Sequence, residues 1–373
     1  MSKVFPTLLL LALCISTAAR GNEPWTLTEP RLDHPEAIRV LVVHDMEGLS
    51  GQENLETFFI QFDDYALGQE LLAGDVNAAV AGFFDGGAAE VHVVDGHGSG
   101  NPQPDLRPDL LDPRAKQLSR EKPFDPYFGP ARENEYDAIA MVGGHARTGT
   151  GGFAAHTLTL GMDVIINGLP VTETEIVALA WGLNGKPVIL ATGDDKLAEN
   201  LADRMPWVET PITKTAIDHS TARARPIEES RRDIRAAARR AIENIGQAKA
   251  MQITTPIEMT LRSVPPASLA AMENVPGVNF WVPGWDPNDS AVTFEANGLY
   301  DAVTGLKALV MVARGGYLMS TIEQFEREGE LDAFDRFYRA RVQVWTDQES
   351  GRLQQPPQNT RRQTKTTVYY GAR

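Results

Sequence analysis

From about residue 37 to residue 200, short apolar segments alternate with segments of helical periodicity, and this alternation restricts the possible folds strongly. The apolar segments are at 39–44, 90–95, 137–143, 163–168 and 187–193. One helical face carries Tyr65, Leu67, Leu71, Leu72, Val76, Ala79, Val80 and Phe83. Strands that are apolar on both faces and separated by helices are typical of layered α/β proteins. The sequence therefore predicts an α/β fold with a largely parallel sheet flanked by helices.

The remaining chain predicts a second, smaller α+β subdomain. An Arg- and Ala-rich helix at 227–246 precedes extended or strand segments at 255–263, 278–284 and 291–296, with a helix near 266–274 and a final helix at 298–315. We therefore divide the chain into an α/β domain (37–205), a second subdomain (206–316), and a C-terminal helix with a polar tail (317–373).

The N-terminus has the pattern of a secretory signal peptide. Lys3 precedes an apolar run that contains LLLLAL, and small residues follow it. We predict a signal peptide at residues 1–19 and a secreted or periplasmic protein. A short membrane anchor is the alternative, but the run is about half of the roughly 20 residues that a span needs.

Composition limits both the partners and the ligand chemistry. The formal net charge is −15, with 50 acidic against 35 basic residues, which argues against binding to nucleic acid or to an anionic membrane. The single cysteine, Cys14, lies in the leader. A metal site in the mature chain must therefore use histidines and carboxylates.

Asp, Glu and His side chains gather where the apolar segments end. Asp45 and Glu47 follow the first segment, His97 the second, His145 and His156 the third, and Glu173 and Glu175 follow the fourth through a hairpin. The carboxyl ends of strands in such a sheet carry functional groups, and this residue set is the one that zinc and similar divalent metals bind in the absence of cysteine. A metal site is therefore predicted at this edge.

The number of candidate ligands indicates two metal ions. Two carboxylates, two histidines and a further glutamate exceed the three protein ligands of a typical catalytic zinc, but they suit a metal pair that shares one carboxylate and activates water for hydrolysis. His156 is then a candidate proton shuttle or stabiliser of the tetrahedral intermediate; the alternative is a hydrogen bond within its own loop. His34, His92 and His219 are interpreted as structural.

Five motifs, in order, resemble those of the zinc-dependent D-aminopeptidases of the DppA type. They are DMEG from residue 45, DGHG from residue 95, the GGHAR...GT..GF..HT loop from residue 143, the NG segment that leads to a glutamate, and GDD from residue 193. The resemblance covers residues 38–316. It implies an enzyme that releases N-terminal D-amino acids from short peptides, with two zinc ions per chain and a ring-like decameric homo-oligomer.

The resemblance also implies a role for each site residue. It makes Asp45 the bridging ligand, with Glu47 and His97 completing one zinc and His145 with a downstream glutamate completing the other. It makes His156 the catalytic residue. In the family that glutamate follows a glycine, whereas here Glu173 follows a threonine, so the choice between Glu173 and Glu175 stays open.

We therefore predict an exported dinuclear zinc aminopeptidase acting on short peptides or amides with an N-terminal D-residue, such as D-Ala-D-Ala. One alternative is a dinuclear hydrolase of another small amide or a phosphoester, but phosphate binding needs basic residues, and Arg147 is the obvious one. The other alternative is an exported peptide-binding protein with structural metals. A structural zinc site is normally closed and four-coordinate, which five ligands do not fit.

Overall fold

The computed structural model describes residues 24–101, 103–119, 125–275, 278–283, 289–313 and 327–353. The predicted signal peptide and residues 354–373 of the predicted tail lie outside this range. Among the described residues, no helix combines the length and the apolar character that a membrane span requires.

The described chain forms fifteen strands and seven α-helices. The strands are β1 (Trp25–Thr28), β2 (Arg39–His44), β3 (Glu90–Asp95), β4 (Lys116–Gln117), β5 (Ala138–Val142), β6 (Met162–Ile166), β7 (Leu169–Val171), β8 (Val188–Ala191), β9 (Gly193–Asp194), β10 (Ile212–Asp218), β11 (Thr221–Ala224), β12 (Ala250–Ile253), β13 (Ile257–Ser263), β14 (Asn279–Trp281) and β15 (Ser290–Ala296). The helices are α1 (Tyr65–Asp85), α2 (Gly129–Glu133), α3 (Glu173–Gly182), α4 (Asp195–Ala202), α5 (Ile227–Glu243), α6 (Leu299–Ala313) and α7 (Leu331–Glu349).

A parallel five-stranded sheet in the order β4-β3-β2-β5-β8 forms the centre of the fold. Both of its faces are buried: Val40 and Val42 pack into one hydrophobic core with α1 and α5, while Leu41 and Val43 pack into another with α3. This arrangement explains why β2 is apolar without alternation. The predicted α/β class with a parallel sheet flanked by helices is confirmed.

A second five-stranded sheet, in the order β14-β15-β13-β6-β7, is antiparallel throughout. The apolar segment at 163–168, which we grouped with the parallel strands, belongs to this sheet as β6. The physical reason is the Asn167-Gly168 turn, where both residues have positive φ (48° and 81°), since an Asn-Gly turn favours a tight hairpin. The chain reverses at once into β7 and has no room for a crossover helix.

Two helix predictions need correction. The helix predicted near 266–274 is a single 3₁₀ turn at Ala270–Met272. The backbone N–H groups just before this turn bond to other segments: that of Ser268 donates to the Ala313 carbonyl, and that of Leu269 lies within hydrogen-bond distance of the Ser263 and Ser290 hydroxyls. On α1, Leu67 is exposed and lies off the predicted buried face.

The antiparallel sheet combines strands from both sides of the predicted boundary at residue 205. β6 and β7 precede that boundary, whereas β13, β14 and β15 follow it. In addition, α5 packs along α1 against the parallel sheet. The division into 37–205, 206–316 and 317–373 stays a prediction, and the two sheets share the α3 core.

Candidate metal centre

Two backbone contacts bring the ends of β2 and β5 together. The Asp45 N–H donates to the Val142 carbonyl at 2.8 Å, and the Gly48 N–H donates to the Gly143 carbonyl at 2.7 Å. Gly143 has φ +83°, and a Cβ there would lie 2.3 Å from the Asp45 carbonyl oxygen. Only glycine fits this position. The close approach sets the DMEG segment beside the loop that carries His145.

Asp45, His145 and Glu173 form the first of three overlapping groups of potential ligands. The His145 Nε2 lies 3.5 Å from the Asp45 Oδ2 and 3.5 Å from the Glu173 Oε1. All three side chains are buried, and their ligand atoms lie within 4.8 Å of one another. One cation between them could contact all three.

Asp45, Glu47 and His97 form the second group, also with ligand atoms within 4.8 Å of one another. The His97 Nε2 lies 3.2 Å from the Glu47 Oε1. Asp45 belongs to both groups, which is the position of a carboxylate that bridges two ions.

His156 stacks on His145, with ring centroids 4.1 Å apart and an interplanar angle of 9°. Its Nε2 lies 4.0 Å from the Glu47 Oε1. Glu47, His145 and His156 make the third group of potential ligands. The structure thus brings together all six residues that the sequence predicted for the site: Asp45, Glu47, His97, His145, His156 and Glu173.

The three histidines of the cluster have the same orientation. In each ring the Nδ1 faces an oxygen acceptor: the Asp105 carboxylate at 2.9 Å for His97, the Ala146 carbonyl at 2.9 Å for His145, and the Ala154 carbonyl at 2.7 Å for His156. The Nδ1 therefore carries the proton and donates it, since carbonyl and carboxylate oxygens accept. In the neutral tautomer, each Nε2 presents a lone pair to the cluster.

Burial and charge separate the pKa values of the two neighbouring carboxyls. Burial raises the pKa of Asp45 well above its usual range, and the Glu47 carboxylate raises it further. Burial also acts to raise the pKa of Glu47, but His97 outweighs it and holds that pKa well below its usual range. The Asp45 Oδ2 has no hydrogen-bond partner among the described residues. A buried oxygen of this kind is stabilised by a bound cation.

The two stacked histidines also differ in protonation. Burial acts to lower the pKa of His145, but Glu173 raises it to about 10. Burial and the charge of His145 lower the pKa of His156 to about 4. The buried oxygen and nitrogen donors fit zinc or a similar divalent ion, which would replace the proton that His145 holds near Asp45 and Glu173.

Glu173 reaches the cluster, whereas Glu175 is used elsewhere. Thr172 and Glu175 form a capping box at the start of α3, and the Glu175 carboxylate also pairs with Arg204 at 2.9 Å. The pattern T-x-x-E at 172–175 is the sequence signal of such a cap, and it could have distinguished the two glutamates in advance.

Two residues outside the predicted set contact the cluster. Asp105 orients His97 and also accepts hydrogen bonds from the Tyr65 and Ser99 hydroxyls. The Tyr127 hydroxyl donates to the Glu173 carboxylate. Neither follows a predicted strand or belongs to a recognised motif, so the linear sequence gives no signal for them.

The predicted structural histidines lie outside the cluster. The His34 Nδ1 pairs with the Asp137 carboxylate at 3.2 Å, and the His92 Nδ1 contacts the Tyr136 hydroxyl at 2.8 Å. His219 packs edge to face against Trp345. None of the three belongs to a group of potential ligands among the described residues.

Replacing Asp105 with asparagine is expected to lower zinc affinity about 10- to 100-fold. The substitution removes the carboxylate that accepts the His97 Nδ1 proton while preserving the shape of the side chain. Competition with a chromophoric chelator measures the change. Asp109→Asn, at a solvent-exposed carboxylate paired with Arg107, is the control, and equal affinities of the two variants would contradict the assignment.

This chain is similar to D-aminopeptidases in both sequence and fold. A family model described as D-aminopeptidase matches residues 38–307. A D-aminopeptidase from Bacillus subtilis (strain 168) is 31% identical over 182 residues, which cover 48% of this chain and 64% of that protein. The aligned region thus spans slightly less than two thirds of that relative.

A solved structure has the same fold. The structure described as the Zn-dependent D-aminopeptidase DppA from Bacillus subtilis, a self-compartmentalizing protease, aligns with a TM-score of 0.66 at 23% identity, covering 74% of this chain and 98% of that chain. The family match ends before α7, so this helix lies outside the region that the family model describes.

Proposed function

This chain belongs to the D-aminopeptidase family, and from that membership we propose that it is a dinuclear zinc aminopeptidase that releases the N-terminal D-residue from short peptides or amides such as D-Ala-D-Ala. The observation that carries the proposal is the position of Asp45, which takes part in two groups of potential ligands at once. Glu47 and His97 would hold one ion with Asp45, and His145 and Glu173 would hold the other.

The two ions would supply Lewis acidity, which lowers the pKa of a water molecule and polarises a carbonyl. The protein side chains would hold these ions and exclude bulk water, since every carboxylate and imidazole of the cluster is buried. Asp105 and Tyr127 orient His97 and Glu173 by hydrogen bonding. Such outer contacts fix the direction from which each ligand approaches a metal.

His156 is suited to move a proton. Its Nδ1–H donates to the Ala154 carbonyl, so the Nε2 lone pair faces the cluster and can accept a proton. Burial and the charge of His145 keep the ring neutral by lowering its pKa to about 4. His156 would take a proton from the attacking water and return it to the leaving amine.

The positive groups beside the cluster favour an amide substrate over a phosphoester. The Arg147 guanidinium donates to the Thr148 carbonyl and faces Asp163 at 3.7 Å. The Lys214 ammonium donates to the Glu47 carbonyl and to Gln52. Both are therefore already engaged, whereas phosphate recognition calls for available Arg or Lys donors.

The test is to express residues 20–373, count the bound metal, and compare hydrolysis of D-Ala-D-Ala with that of L-Ala-L-Ala. About two zinc ions per chain with D-selective release of alanine would support the proposal. Bound metal without cleavage of either dipeptide would overturn the proposed activity and retain the metal site.

We also propose that the protein is exported, because residues 1–19 have the signal-peptide pattern, and that it assembles into a homo-oligomer, as the relative described as self-compartmentalizing suggests. Cell fractionation with N-terminal sequencing tests the first point, and light scattering coupled to size exclusion tests the second. A full-length N-terminus in the cytoplasm, or a monomer, would refute the respective proposal.

A further inference from the structure

Helix α7, which follows the family-matched region, packs over the candidate metal centre. Its inner face is an apolar stripe of four buried side chains, Phe334, Tyr338, Val342 and Trp345. Their spacing of three to four residues is that of one helix face. Phe337, about a quarter of a turn away from this stripe, is 55% exposed. One face of this helix is therefore buried against the rest of the protein.

Trp345 covers one side of the cluster. Its ring lies 5.9 Å from the His156 ring, at an interplanar angle of 79°, and 5.6 Å from the His219 ring, at 70°. The side chain is 0% exposed. The indole thus occupies space directly beside the residue proposed to move the proton.

Aromatic contacts also connect α7 to the other side of the cluster. The Tyr338 ring lies 5.0 Å from Phe59, whose ring lies 6.1 Å from His97. Phe58 adds an edge-to-face contact with His97 at 6.3 Å. Aromatic rings thus adjoin both His97 and His156, so apolar side chains fill the side of the cluster that faces α7.

Polar contacts hold α7 in place. Arg339 donates to the Gln61 carbonyl at 2.7 Å, lies 3.3 Å from Asp63, and stacks over Phe62 at 4.5 Å. At the C-terminal end of the helix, burial raises the pKa of Glu349, and Trp345 and Arg262 oppose this shift. Contacts in the middle of α7 and at its C-terminal end therefore fix the helix beside the site.

We propose that α7 forms a wall of the substrate cavity and that Trp345 restricts the enzyme to peptides with small side chains. This inference rests on the proposed aminopeptidase function. The indole is 0% exposed and fills the volume beside His156, so it would sterically oppose a bulky substrate side chain there far more than a methyl group. Trp345 is then a specificity-determining residue that the family-matched region does not contain.

The first experiment measures substrate selectivity in the mature chain. We expect Trp345→Ala to raise the ratio of kcat/KM for D-Phe-D-Ala or D-Ala-D-Phe to that for D-Ala-D-Ala by about tenfold or more. Trp345→Phe, which keeps an aromatic ring in the core, should give an intermediate ratio. Phe337→Ala, on the exposed face of the same helix, should leave the ratio unchanged. Unchanged ratios in both Trp345 variants, with metal content and Tm retained, would overturn the inference.

A second experiment needs no peptidase activity. In the mature protein as purified, diethyl pyrocarbonate modifies accessible histidines, and the tryptic peptide 148–196 contains His156 as its sole histidine. We expect Trp345→Ala to accelerate modification of His156 about tenfold relative to the wild type and Phe337→Ala. Equal rates would show that α7 does not cover the site. If the wild type cleaves no D-peptide but the rates differ, the proposed function fails while the wall is supported.

Discussion

Replacing Asp45 with alanine is expected to abolish peptide hydrolysis, with kcat/KM falling at least ~10⁴-fold. Asp45 is the carboxylate common to two groups of potential ligands, so its loss weakens both metal positions at once. Bound zinc should fall from about two ions per chain to one or none. Elemental analysis of the dialysed protein, together with D-Ala-D-Ala hydrolysis, measures both effects.

Asp301→Ala is the matched control for this substitution. Asp301 lies on the exposed side of α6, away from every group of potential ligands, and its replacement should leave metal content and activity at wild-type values. An Asp45→Ala protein that retains two ions and full activity would exclude Asp45 as the bridge.

His156→Ala is expected to lower kcat by about 10²- to 10⁴-fold while zinc content and KM stay near the wild-type values. The variant loses the Nε2 lone pair that faces Glu47, but it retains Asp45, Glu47, His97, His145 and Glu173. Metal analysis combined with steady-state kinetics separates a loss of proton transfer from a loss of metal.

His219→Ala is the control, because His219 also contacts Trp345 but does not belong to the cluster. It should retain normal kcat. If His156→Ala instead loses one zinc ion, then His156 serves as a ligand in the group with Glu47 and His145, and its proposed role in proton transfer is wrong.

The central sheet and the location of the site could be predicted because both depend on local patterns. β2, β3 and β5 are nearly continuous apolar runs, and polar residues follow each of them directly. The carboxyl ends of parallel strands lie at one edge of a sheet, so Asp45, His97 and His145 had to come close together. Their proximity follows from strand order and direction alone, without long-range packing.

The remaining features depend on tertiary contacts that are not encoded in any short segment. β6 is mostly apolar, like β5, yet it pairs antiparallel with β13, nearly a hundred residues later. Asp105 and Tyr127 contact the cluster only because their loops fold back over it. The position of α7 depends on the contacts of its apolar stripe with Phe59 and His156. The hydrophobic periodicity of the helix predicts that one face is buried, but not which residues that face contacts.

Glu173 begins the helix that follows a hairpin of the antiparallel sheet, whereas Asp45, His97 and His145 follow strands of the parallel sheet. An ion shared by Asp45, His145 and Glu173 would connect the two sheets. Docking of the sheets and metal affinity are then thermodynamically linked, so each strengthens the other. Metal uptake would then complete the folding of this chain, and the zinc supply would govern how long the protein resists proteolysis.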